Sequence, residues 1–254
     1  MNKNNQQWIK CYRESSQSKL KVFCFPFAGG SASAYRLWKD YLSEEIDVYA
    51  IQLPGREERI SDPLLTDLKA SVKEIADEIL PLLDKDFVFF GHSMGAVMAL
   101  ELAHILEQQN KIPRQVIVSA RCSPLLVDPE TQIHQLSDKG FVQAIRDYNG
   151  TSEIVLQNKE LMAMFLPILR ADFSMSETYQ YSQTKPLSCP LTAICGIEEK
   201  ELEEHHITGW QAVTTGAFTT KMFAGGHFFI KDEIEVVLPY LNNVLNDLIN
   251  KNVA

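Results

Sequence analysis

FVFFGHSMGAVMAL, running from Phe87 to Leu100, is the stretch from which the fold of this chain is read. The apolar run Phe87 to Phe90 leads straight into Gly91-His92-Ser93-Met94-Gly95, and Val97, Leu100, Glu101, His104 and Ile105 follow with helical spacing. Strand, sharp turn and helix in that order are the setting a G-x-S-x-G nucleophile elbow requires. The glycines make room where backbone packs tightly against backbone, and the strained turn lifts the serine hydroxyl above the sheet. Ser93 is the candidate nucleophile.

Working outward, further apolar runs appear at Leu20 to Phe27, Ile46 to Leu53, Val116 to Ser119, Leu191 to Cys195 and Ala217 to Phe223. Runs that do not alternate with polar residues read as strands buried on both faces. Between two of them, Leu65, Leu68, Val72, Ile75, Ile79 and Leu82 draw one helical stripe, with Asp62 and Pro63 as the expected start signal. Near the end, Asp232 is expected to cap a helix carrying Ile234, Val237, Leu238, Leu241, Leu245 and Leu248. Strands alternating with helices imply an α/β architecture, a mostly parallel central sheet with helices on both faces. The alternation breaks over about 121–189, where a capping Ser137 precedes Phe141, Ile145 and Tyr148, and Leu161, Phe165, Ile168 and Leu169 form a second stripe. Such an insertion is expected to lie over the sheet edge as a helical lid. With no repeat and no Pro/Gly/Ser-rich linker, residues 1–254 read as a single domain.

Composition narrows the function. The 254 residues are 45% hydrophobic and 22% charged, which is ordinary for a globular protein. A net charge of -9 argues against nucleic acid, since neutralising phosphates takes a basic patch, and against an anionic membrane surface. Met1 to Lys19 has no apolar stretch to serve as a signal peptide, and no run reaches the ~18 residues of a membrane-spanning helix. Cys11, Cys24, Cys122, Cys189 and Cys195 are scattered and never spaced C-x-x-C, so neither a zinc site nor a disulfide framework is indicated. They read as reduced thiols of a cytoplasmic protein.

A serine needs a base, and the base an orienting acid, which in an elbow fold follow in the order serine, acid, histidine. His92 and His104 come too early, His134 sits in the insertion, and His205-His206 lies in a Glu-rich, solvated stretch. His227, in Ala224-Gly225-Gly226-His227 after the last strand, is the candidate base. Ala120 to Ser123 offers no carboxylate after its strand, so the acid is sought one strand on, where Glu198, Glu199 and Glu201 all follow Leu191 to Gly196. A tetrahedral intermediate also needs oxyanion donors. One is expected from the amide of Met94, the other from Pro26-Phe27-Ala28-Gly29-Gly30 through Ala28 or Phe27. Phosphate binding by this loop is disfavoured, because neither G-x-G-x-x-G nor G-x-x-x-x-G-K-[ST] occurs.

Five blocks in order extend these readings: FPFAGGSASAY (Phe25 to Tyr35), LPGREER (Leu53 to Arg59), FGHSMGA (Phe90 to Ala96), LPILRADF with its following E-x-Y (Leu166 to Tyr179), and AGGHFF (Ala224 to Phe229). Through them the chain resembles the type II thioesterases that accompany nonribosomal peptide and polyketide synthetases, and is similar to the stand-alone thioesterase of animal fatty acid synthesis. The resemblance implies an α/β-hydrolase fold with a helical lid, and hydrolysis of acyl groups from phosphopantetheine arms of carrier domains in antibiotic biosynthesis. It assigns the nucleophile to Ser93, the base to His227 and the oxyanion donors to Ala28 and Met94. A family glycine three residues before the acid, and a tryptophan beyond it, match Gly196 and Trp210, which selects Glu199 where the family usually has aspartate. No metal or cofactor of its own is implied, the phosphopantetheine being carried by the partner. The chain is taken as a monomer. Met162, Met164 and Phe165 are expected to line an acyl channel. The alternatives are a small-molecule esterase or lipase, an acyl-carrier thioesterase of fatty acid synthesis, and a non-catalytic binding module.

Overall fold

The structure, a computed structural model, describes residues 8–126, 132–147, 153–199 and 202–251. Two residues of the sequence reading, Tyr148 and Glu201, lie outside them, as does the start of the Met1 to Lys19 segment. Among the described residues seven strands form one sheet in the order β1-β3-β2-β4-β5-β6-β7: β1 (Ile9–Arg13), β2 (Leu20–Phe25), β3 (Ile46–Ile51), β4 (Asp86–His92), β5 (Gln115–Ser119), β6 (Leu191–Gly196) and β7 (Phe218–Phe223). All neighbours are parallel except β1, which pairs antiparallel with β3. This is the α/β-hydrolase fold expected from the sequence. Strand β1 was not legible there, because an edge strand with the sequence IKCYR is buried fully only at Ile9 and shows no apolar run.

The helices are α1 (Trp38–Tyr41), α2 (Leu68–Ile79), α3 (Met94–Glu107), α4 (Asp138–Asp147), α5 (Glu153–Gln157), α6 (Lys159–Thr178), α7 (Glu204–Thr208), α8 (Phe229–Asp232) and α9 (Ile234–Asn250). Side chains alternate across a strand, so β2 sends Phe23 and Phe25 to the layer holding α2 and α3, and Val22 and Cys24 to the layer holding α9. Each large apolar side chain so buried contributes about 1.5–3 kcal/mol relative to exposure. On α2 the sealed stripe is Leu68, Val72, Ile75 and Ile79, as the spacing predicts. Its start differs, for the N-cap is Asp67, whose side chain accepts from the Ala70 amide at 3.0 Å, and not Asp62. Asp62 instead pairs with Arg59 at 2.7 Å. Nor does Asp232 cap the last helix: it closes α8, and the chain turns into α9 through Glu233 without a side-chain cap.

Between β5 and β6 lie α4, α5 and α6. Ser137 does precede α4 and accepts from the Gly140 amide at 3.4 Å. Phe141, Ile145, Leu156, Met162 and Leu169 close a small apolar cluster of their own with Ile133. The last turns of α6 belong to the main body, with Met175 in the core under α2 and Tyr179 donating its hydroxyl to buried Glu101 at 2.7 Å.

Candidate active site

Strand β4 ends at His92 and α3 begins at Met94, so the whole reversal falls on Ser93, at φ 54° and ψ -117°. A left-handed backbone at a residue with a β-carbon is strained, and the surroundings hold it there: the Ser93 amide donates to the Ser119 carbonyl at 2.8 Å. Crowding explains the flanking glycines. A β-carbon on Gly91 would meet the Gly95 carbonyl at 2.0 Å, and one on Gly95 the Phe25 carbonyl at 2.2 Å.

The segments carrying the candidate acid and the candidate base follow β6 and β7, at the same carboxyl edge of the sheet. His227 Nδ1 lies 2.6 Å from Glu199 Oε2, and both side chains are nearly sealed, 12% and 6% exposed. Glu198 lies exposed, and its backbone amide donates to the Gly225 carbonyl at 3.0 Å. Gly196 lets the two loops approach, since a β-carbon there would lie 2.3 Å from the Gly225 carbonyl. Trp210, buried, donates its indole N–H to the Arg121 carbonyl at 2.8 Å, tying the segment after Glu199 to the end of β5.

Ser93, His227, Phe27 and Ala28 line one cavity with Phe228, Leu169 and Phe173, and Arg121, Ser176 and Glu177 give it a polar side. In the loop after β2 the Gly29 amide is taken by Asp172 at 2.7 Å and the Gly30 amide by the Phe27 carbonyl at 2.8 Å. That leaves Phe27 and Ala28 as the loop's candidate donors. Met94 is the first residue of α3, so its amide has no acceptor one turn back in the helix.

Three of the other histidines have partners away from the cavity-facing His227. His134 Nδ1 faces Glu177 at 2.5 Å, and His104 Nε2 faces the Tyr181 hydroxyl at 3.2 Å. His206 Nδ1 accepts from the Glu203 amide in a cap of α7. His92 lies directly beneath the site, its ring 5.3 Å from that of His227 and its Nδ1 2.9 Å from the Ser119 hydroxyl. Burial pushes its pKa well below the ordinary value, and the nearby His227 and Lys231 push the same way. One expectation fails: Met164 and Phe165 point to solvent, 60% and 39% exposed, and Met162 is sealed in the insertion's own cluster. The α6 residues on the cavity come later, at Leu169, Phe173, Ser176 and Glu177, because the helix turns its cavity face one turn further on. Two residues not singled out from sequence, Arg56 and Asp172, meet behind the Phe27–Gly30 loop.

Comparison with known proteins completes this description. A family model described as a thioesterase domain matches residues 20–244. The linear gramicidin dehydrogenase LgrE of Brevibacillus parabrevis is 39% identical, over 94% of this chain and 92% of its own. The gramicidin S biosynthesis protein GrsT of Aneurinibacillus migulanus is 41% identical, over 88% of each chain. The solved structure of BorB, a type II thioesterase from the borrelidin biosynthetic cluster, superposes with a TM-score of 0.84 at 30% identity, covering 96% of this chain and 97% of that one.

Proposed function

The chain belongs to the thioesterase family, and on that premise we propose that it is a type II, editing thioesterase, which hydrolyses acyl or aminoacyl thioesters from phosphopantetheine arms of carrier domains in nonribosomal peptide or polyketide synthesis. The observation that carries the mechanism is the His227–Glu199 pair at 2.6 Å on the cavity that Ser93 also lines. With Glu199 accepting from Nδ1–H, the imidazole presents Nε2 as the base. Ser93 Oγ forms a bond to the thioester carbonyl carbon as its proton passes to His227. The carbonyl oxygen takes the negative charge and is held by the Ala28 and Met94 amides. The C–S bond then breaks, and the thiol leaves with the proton from His227. Water, deprotonated by the same imidazole, attacks the acyl carbon; the C–Oγ bond then breaks, Ser93 Oγ takes the proton back from His227, and the acid leaves. The triad and two amides suffice for these steps, and the phosphopantetheine arrives with the partner.

In this reading residues 1–254 act as one cytoplasmic domain, with the helical insertion of about 121–189 covering the cavity. The name of the Brevibacillus relative speaks of a dehydrogenase, but this chain lacks the G-x-G-x-x-G fingerprint of a dinucleotide site. Comparing rates on an acyl-loaded carrier protein, the matching acyl-N-acetylcysteamine and a p-nitrophenyl ester tests the substrate. The proposal expects the carrier to be preferred in kcat/KM, whereas equal use of the small esters would favour a general esterase.

A further inference from the structure

Asp172 of α6 is fully buried and carries three hydrogen bonds. Arg56 Nη1 donates to Oδ2 at 2.6 Å and Nη2 to Oδ1 at 2.7 Å, a two-pronged ion pair. The third donor is the Gly29 amide, at 2.7 Å to Oδ2. Arg56, itself 6% exposed, also donates from Nη1 to the Gly30 carbonyl at 2.9 Å. Gln52 extends the network, accepting from the Ala32 amide at 3.0 Å and donating to the Arg56 carbonyl at 3.2 Å. A single buried network thus holds three backbone handles within residues 29–32 after β2: the Gly29 N–H, the Gly30 C=O and the Ala32 N–H. The residue just before the first handle is Ala28, on the cavity with Ser93.

Stability alone is a poor reason for this arrangement. Taking two charges out of water costs much of what their attraction returns, and apolar residues of the same size often serve a fold as well. What the pair supplies and apolar packing does not is direction, since a planar guanidinium and a carboxylate in two-pronged contact fix one another's orientation. We propose that Asp172 and Arg56 are positioning residues, which lock the Phe27–Gly30 loop so that the Ala28 amide meets the developing oxyanion. The proposal rests on the reading of Ser93 and Ala28 given above. It also makes α6 two things at once: its first half belongs to the insertion, while Asp172 pins its second half to the catalytic loop.

The test uses Asp172→Asn and the double variant Arg56→Met/Asp172→Leu, each first checked for a cooperative melt. Removing one oxyanion donor typically costs about 10²–10³ in kcat, and misplacing one by ~1 Å about 10². The double variant, apolar and without a buried unpaired charge, is expected to melt cooperatively and to lose roughly 10²-fold in kcat with KM within about twofold. Asp172→Asn keeps an oxygen for the Gly29 amide and is expected to fall between it and wild type. Binding of a trifluoromethyl ketone analogue should weaken in parallel with kcat, a change that general loosening of the fold would not track. A folded double variant with kcat within threefold of wild type would overturn the proposal, as would failure of both variants to melt cooperatively, since the pair would then be a folding requirement. Ser93→Ala, run alongside, separates the premises: if it stays active, the reading of the site fails, whatever the clamp does.

Discussion

Glutamate at position 199 is one methylene longer than the aspartate usual in the proteins this chain resembles, and the Gly196 contact lets its loop settle where the longer side chain meets His227 Nδ1 at 2.6 Å. In the proposed mechanism the charge is the operative feature, since it would fix the tautomer and stabilise the imidazolium that forms. Glu199→Gln keeps the size and removes the charge, and is expected to lower kcat by roughly 10²–10⁴-fold in steady-state assays, while Glu198→Gln, at an exposed site, stays near wild type. Equal losses at both positions would reject Glu199 as the acid. At this scale legibility was uneven. Ser93 and His227 stand out because strand and helix signals surround them, whereas three nearby glutamates share one composition and only the family comparison chose among them. Arg56 and Asp172 were unreadable as partners, since nothing local links positions 56 and 172.

Among the elements, α6 departs furthest from its sequence reading. Its apolar stripe is real, but periodicity does not say which end faces the cavity: Met164 looks outward while Leu169 and Phe173 look in. A bulky residue should therefore matter only at the later positions. Leu169→Trp is expected to shift preference toward shorter acyl chains, and Met164→Trp to leave the chain-length profile unchanged, as measured on carriers loaded with a graded acyl series. A shift at Met164 instead would return the channel to the outer face. Five of the strands, buried on both faces, spell continuous apolar runs; β7 was expected to be buried likewise but has four of its six residues exposed at the sheet edge, and β1 escaped because its sequence IKCYR contains no apolar run. The start of α2 was misjudged for a different reason. Asp62-Pro63 and Asp67 both carry start chemistry, and the chain stays out of helix between them before Asp67 takes the Ala70 amide.

For the whole molecule, the buried histidines couple stability to pH. His92 and His104 are both pushed down, chiefly by burial, so the folded protein keeps them neutral where the unfolded chain takes up protons, below about pH 6.5. Stability from this source is complete above that pH and is lost as pH falls below it, at up to ~1.4 kcal/mol per pH unit for each histidine. Urea midpoints at pH 7 and 5.5 should therefore differ less in His92→Asn than in wild type, and an unchanged difference would refute the assignment. The net charge of -9 that argued against nucleic acid would also offer no general attraction to an acidic partner, so under the proposed function docking would fall to local contacts. The proposed function as a whole rests on one serine, Ser93. Incubating wild type and Ser93→Ala with an acyl-loaded carrier protein, and following the carrier by intact mass, tests that claim most directly. Wild type should return the carrier to its free-thiol mass while Ser93→Ala leaves it acylated; equal release by the two proteins would contradict the account.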